Sequence, residues 1–365
     1  MELLLFLSAL VMIGGLLVVP AILRRRGGRD VTLGGLHAAD PGAYGFVPRE
    51  QLDVRLPGPD RELIDALEEV ARTGTWQPAS RLLALTDAES ELRWQRVQSL
   101  AGSAVHELAR EPGRGGVWLR TWRVEAPKDP GGAAVHAEFL VRQALRDPAS
   151  QDFRMILEEA RTVCGEAALL APGDPVPYVV ELGVARGMGY READFQALWT
   201  KVTDRAPHHM GAHLAALHYW SEKWHGSQDQ ADAFAHAAAA SAPKGSLLSA
   251  LPLFAVYDHL PDVQLVRSLY QSAVITRAIE GAQYAARHAP ADHPVLPHVR
   301  HLLAWFLVRA ERWAEALEQL RRVDGHVGAV PWSYGTDPAA EYAAYRAVAV
   351  AGWEAQGGTP ASLPG

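Results

Sequence analysis

Apolar positions between Met210 and Trp224 recur at helical spacing. Met210, Leu214, Leu217, Ser221 and Trp224 follow alternating steps of four and three, one face of a helix with about 3.6 residues per turn. Gly226 comes next and is expected to adopt the left-handed conformation that ends a helix. Ser227 then opens a second helix, and Gln230 stands three residues on, the spacing of a capping box. Ala231, Phe234, Ala235 and Ala238 share one face of that helix, and Pro243 stops it. The pattern predicts a helical hairpin. Its alanines let two backbones approach closely, and Trp224 and Phe234 fill the gaps.

The same plan recurs on both sides. An Ala-Pro pair closes a helical pattern at Pro127, Pro172, Pro207, Pro243 and Pro290. The intervals from Pro172 to Pro207 and from Pro207 to Pro243 lie near the period of about 34 residues typical of helix-turn-helix repeats. The other two are longer, as though a loop were inserted. Twelve and five residues before the proline stand Ala160 and Ala167, Ala231 and Ala238, or Ala278 and Ala285; the unit ending at Pro207 carries Phe195 and Val202 there. Leu182-Gly183, Trp199 and Pro207 in one unit, and Leu303-Ala304, Leu307, Trp313, Ala316, Leu320 and Val323 in a later one, give roughly residues 130–325 a pattern that resembles the tetratricopeptide-repeat (TPR) family. The segment from Tyr219 to Ser227 is also similar to one in bacterial helical-repeat domains of no assigned activity. This resemblance implies an all-α fold, an α-solenoid of TPR-like hairpins. Surfaces of that kind bind extended peptides or helices of a protein partner.

The N-terminus has a different character. Leu3 to Leu23 carries no charge and is long enough, at about 1.5 Å per residue, to cross a bilayer as a helix. Glu2 precedes it and Arg24-Arg25-Arg26 follow, the reverse of a secretory signal's charge order. The expectation is a single-pass anchor in the cell membrane with the body of the chain in the cytoplasm. The expected layout is therefore an anchor with its basic stop (1–26), a Gly/Pro-rich juxtamembrane linker (27–59), an N-terminal helical segment (60–126) and the TPR-like repeats (127–325). An irregular loop with a capping helix (326–356) and a disordered tail (357–365) complete it. Asp337 and Pro338 are the expected cap and first residue of that last helix, which Tyr342, Tyr345, Ala349 and Trp353 pack against the final repeat.

Composition narrows the function. Hydrophobic residues make up 48% of the chain, enough for a large core. Net charge is −7, and the one tight basic run lies beside the anchor, so nucleic acid is not an expected partner. Cys164 is the single cysteine, so neither an intramolecular disulfide nor a cysteine-rich metal site can form. There is no Asn-x-Ser/Thr glycosylation site, because the chain has no asparagine.

No catalytic constellation is evident, and no cofactor is implied. There is no Gly-x-Ser-x-Gly elbow, and Cys164 occupies a position that expects a packed apolar side chain. His208, His209, His213, His218, His225 and His236 crowd the central hairpin. His209 and His213, four apart, are the candidate metal ligands of an alternative reading, a metal-dependent hydrolase, although no third ligand is identifiable. Aromatic side chains on an inner surface are the stronger candidates. Tyr219, Trp220 and His213 in the hairpin, and Trp332 and Tyr334 in the late loop, are the expected contacts for a protein or peptide partner.

Overall fold

Helices begin where the sequence supplies a cap. Asp60 accepts a hydrogen bond from the Leu63 amide at 3.0 Å and opens α1 (Arg61–Thr73). Asp129 caps α5 (Pro130–Arg146), with Pro130 in its first turn, and Asp337 caps α16 (Pro338–Ala355) by accepting from the Ala340 amide at 2.9 Å. Between these lie α2 (Gln77–Ala84), α3 (Ser90–Arg110), α4 (Val117–Glu125), α6 (Phe153–Leu170), α7 (Val176–Met188), α8 (Glu192–Thr203), α9 (Met210–Trp220), α10 (Gln228–Ser241), α11 (Leu251–Asp258), α12 (Arg267–Tyr270), α13 (Ala273–His288), α14 (Leu296–Arg309) and α15 (Trp313–Val323).

The computed structural model describes residues 40–86, 89–113, 115–261 and 267–363. Within them the protein is all-α; its one β feature is an isolated bridge between Asp53 and His326. Among the described residues no helix is long and apolar enough to cross a membrane, and the anchor expected over Leu3–Leu23 lies outside them. The chain divides into two compact units: residues 60–238 with 293–295, and the remainder.

In the first unit α5 packs on α6, α6 on α7 and α7 on α8, and the alternate helices α3, α5, α7 and α9 also touch in turn. Their direction follows from paired contacts. The Arg142 guanidinium lies against Gly102, and Arg146 donates to the Val105 carbonyl at 3.4 Å, so α3 and α5 run the same way. Gly183 faces Val141 with no room for a Cβ, and one turn later Gly187 faces Leu145, so α5 and α7 are parallel too. At the start of α9 the amides of Met210 and Gly211 donate to the Glu91 carboxylate, which returns this helix to α3. Helices α3, α5, α7 and α9 thus meet in a closed ring. Ala160, Ala167, Phe195, Val202, Ala231 and Ala238 are all buried. Arg93 and Arg96 of α3 are buried as well. Arg96 grips the Asp60 carboxylate at 2.9 and 3.0 Å, and Arg93 bonds Asp174 at 2.7 Å and the Leu83 carbonyl at 3.0 Å.

The central hairpin departs from its expected form in two ways. The first helix stops at Trp220; Ser221 turns away, its hydroxyl donating to the His218 carbonyl at 2.9 Å. Trp224 therefore sits in the turn, beneath the Arg186 guanidinium at 4.8 Å. Gly226 is not left-handed. Glycine is needed there because the Trp220 backbone lies where a Cβ would project. The Ser227 hydroxyl does accept from the Gln230 amide, at 3.2 Å.

In the second unit, residues 40–59, expected as part of a linker, are packed. Tyr44, Phe46, Leu52 and Leu56 are buried. Asp53 exchanges backbone hydrogen bonds of 2.8 Å with Gly325 and Val327, and the Val47 amide donates to Asp324 at 2.7 Å. Arg346 of α16 ties this layer down, donating to both the Val47 carbonyl and Asp324. The tail expected to be disordered folds over Trp353, whose indole N–H donates to the Thr359 carbonyl at 3.2 Å.

His301 joins three segments of this unit. Its Nε2–H donates to the Pro57 carbonyl at 2.9 Å, and its Nδ1 accepts from the Trp332 indole at 3.0 Å. Burial first, with His298 and His326 nearby, pulls its pKa down to about 3, against the pull of the Pro57 hydrogen bond. A histidine held neutral below its unfolded value of about 6.5 costs stability as pH falls, because the unfolded chain takes up the proton first; by pH 5 that amounts to about 2 kcal/mol. Urea unfolding at pH 7.5 and pH 5 is expected to show this loss in the wild type and a loss smaller by about that amount in His301→Gln. The same measurement at pH 7.5 is expected to show Gly226→Ala less stable by roughly 1–3 kcal/mol, the cost of displacing the Trp220 backbone.

Candidate functional site

The five residues expected to contact a partner are not brought together. His213, Tyr219, Trp220 and Trp332 are buried. The Tyr219 ring stacks on Phe195 with centroids 3.7 Å apart, and its hydroxyl donates to the Tyr190 carbonyl at 2.6 Å. Trp220 meets the same Phe195 edge-on. His213 donates through Nδ1 to the His209 carbonyl at 2.9 Å and packs its ring on Trp199 and Phe234; burial lowers its pKa to about 4. Trp332 is spent on His301. The three hairpin residues hold the core because the ring closed by α9 leaves the hairpin no exposed inner face, and Trp332 is held in the core of the second unit. Only Tyr334 keeps part of its surface open.

The candidate metal ligands are used by the backbone in the same way. His209 is the N-cap of α9: its Nδ1 accepts from the Ala212 amide at 3.1 Å, and its Nε2 faces the Ser90 carbonyl at 3.3 Å. Among the described residues no three His, Cys, Asp or Glu side chains are grouped to hold a metal ion. The Cys164 thiol is buried, and burial pushes its pKa well up.

Around Tyr334 the second unit assembles an aromatic cup. Trp305, on the apolar helix α14, is its base and is 3% exposed. Tyr257 from the end of α11 meets Trp305 edge-on at 5.5 Å, and Tyr270 from α12 does so at 5.9 Å. Tyr345 from α16 lies nearly parallel to Trp305, with centroids 6.5 Å apart and planes 16° apart. Tyr334 lies nearly parallel to Tyr257 at 6.3 Å and 21°. Arg309 reaches into this group from one turn beyond Trp305. Its guanidinium lies 4.1 Å from the Trp305 ring, 5.3 Å from Tyr270 and 5.7 Å from Tyr345, and donates to the Tyr270 hydroxyl at 3.2 Å. Tyr257, Tyr334, Tyr345 and Arg309 are each partly open to solvent.

Glu341 supplies the acid of the cup. Burial raises its carboxyl pKa, and Arg309 opposes the rise. Its carboxyl accepts no hydrogen bond from the described residues. Tyr257 feels Asp258, Glu341, Tyr345 and Arg309 together; burial is the larger cause of its raised pKa, and every hydroxyl stays protonated at neutral pH. The cup thus offers aromatic faces, phenolic donors and a carboxylate whose charge is only partly met. The sequence carried a signal for it in two pairs at i, i+4 spacing, Trp305 with Arg309 and Glu341 with Tyr345. Elsewhere, a cleft of about 310 Å³ at the turn between α5 and α6 is lined by Gln143, Arg146, Asp147, Ser150, Asp152 and Phe153, with no convergent chemistry.

Removing the cation tests the electrostatics of the cup. In Arg309→Met the Glu341 carboxyl midpoint, followed by ¹³C NMR titration, is expected to move up from its wild-type position, since the one effect that lowers it is gone. An unchanged midpoint would separate the two side chains.

The chain matches no family model, and no curated protein or solved structure shows significant similarity to it.

Proposed function

We propose that the protein is a membrane-anchored helical-repeat scaffold that binds a protein or peptide partner. The observation that carries this reading is the cup around Trp305: Tyr257 and Tyr345 against a buried tryptophan, Tyr334 beside Tyr257, all three partly open, with Arg309 and Glu341 among them. Aromatic anchors that combine a large apolar face with a polar tip are the side chains most enriched where proteins dock. The anchoring part rests on the apolar Leu3–Leu23 stretch and its arginine stop, which orient the body to the cytoplasm. The repeat part rests on the Ala-Pro periodicity and on the burial of the alanines that it marks. The alternative, a metal-dependent hydrolase, draws no support from His209 and His213, whose rings cap and brace α9.

Photo-crosslinking in cells tests the reading with the full-length chain. A benzophenone amino acid at Tyr334 is expected to yield a discrete adduct with another protein. The same group at Leu169, 83% exposed in the first unit, serves as the control. Adducts no stronger at Tyr334 than at Leu169 would overturn the proposal.

A further inference from the structure

Two near-parallel ring pairs stand side by side in the cup, and their geometry is alike. Trp305 and Tyr345 are 6.5 Å apart at 16°, and Tyr257 and Tyr334 are 6.3 Å apart at 21°. The first pair already carries a cation, Arg309, against both rings. That guanidinium also lies over Tyr270. The Glu341 carboxylate acts on Tyr257, and the Arg309 guanidinium opposes it. Neither the Tyr257 nor the Tyr334 hydroxyl makes a hydrogen bond within the described residues.

We infer that the Tyr257–Tyr334 pair, with Glu341 beside it, is a slot for the guanidinium of an arginine on the partner protein. This rests on the scaffold reading above and names the chemistry of the partner. A guanidinium is planar, so it lies flat against tyrosine faces, and its fork of N–H donors suits a carboxylate with unmet acceptor capacity. The Glu341 carboxylate, which accepts no hydrogen bond from the described residues, favours a cation over an acidic side chain. Arg309 does not fill the slot itself, because it is held over Trp305, Tyr270 and Tyr345 and bonded to the Tyr270 hydroxyl. The parent chain is acidic overall, with a net charge of −7, which adds a weaker attraction for a basic segment.

The test titrates the full-length chain by NMR with four capped Gly-Ser peptides that differ in one central residue: arginine, lysine, citrulline or glutamate. Citrulline keeps the planar shape and loses the charge. The arginine peptide is expected to bind about tenfold more tightly than the citrulline peptide, the scale of one charge-assisted hydrogen bond, and more tightly than the lysine peptide. Glu341→Gln, nearly isosteric, is expected to remove about that tenfold advantage, and Tyr334→Leu to weaken arginine binding several-fold. Circular dichroism confirms that each variant is folded, and Glu341→Gln serves if Tyr334→Leu is not. Equal binding of the arginine and citrulline peptides, preference for lysine or glutamate, or an unaltered Glu341→Gln variant would each overturn the inference. A crosslinked partner at Tyr334 that lacks this arginine dependence would leave the scaffold standing and remove the slot.

Discussion

Close approach of helix backbones is the constraint on which the first unit depends. A helix carrying leucine or phenylalanine at every inward position keeps its neighbour about 8–10 Å away, and small residues relax that limit. Here the contact positions are Gly183 and Gly187 on α7 and the alanines of α6 and α10. With those side chains absent, Val141 of α5 fills the space in which a Cβ of Gly183 would stand, and Leu157 of α6 fills that of Gly187. Alternate helices then come near enough to touch, and the chain returns on itself at α9 instead of opening into a groove.

Such tight packing leaves polar groups with few routes to water, so the structure has to satisfy them internally. Buried arginines do much of this. Arg93 and Arg96 donate both to carboxylates and to the last carbonyls of α2, where a helix end has acceptors to spare. Glu138 is buried on α5, and Arg142 one turn on donates to it at 2.6 Å. Even so, burial holds the Glu138 pKa above its ordinary value, and Arg142 and Arg186 bring it only part of the way back. Removing one member of such a pair strands the other, which makes these networks stricter than the apolar core around them.

The helices and their caps were legible because their causes are local. Asp337 and Pro338 read from sequence as a helix start, residue 60 as the point where helical patterning begins, and the marked alanines as buried. What depended on distant partners was not legible. Residues 40–59 look like a linker by composition, yet Asp53 and Val47 find their hydrogen-bond partners nearly three hundred residues away. The histidines of the hairpin look like metal ligands by spacing, but His209 spends a ring nitrogen on the amide of Ala212, three residues on. Gly226 looked like a helix terminator, and only the path of the Trp220 backbone shows that crowding is the reason for it. Of the candidate site, the sequence marks Tyr334 alone as a partner contact, because the cup draws on α11, α12, α14 and α16, and no single stretch of sequence contains it.

Trp332 and Tyr334 show what separates an aromatic side chain that packs from one that recognises. They lie two residues apart in one short loop, and from sequence they are interchangeable. The Trp332 indole has one donor, and His301 takes it inside the core; nothing of that residue is left to offer. Tyr334 packs its ring against Tyr257 but keeps a hydroxyl that makes no hydrogen bond among the described residues. A polar group without a partner inside a deep setting costs free energy unless something else arrives to meet it. Aromatic content alone is therefore a poor guide to a docking surface in a helical protein. The polar tips discriminate better, and by that measure the late loop faces two ways: inward through its tryptophan and outward through its tyrosine.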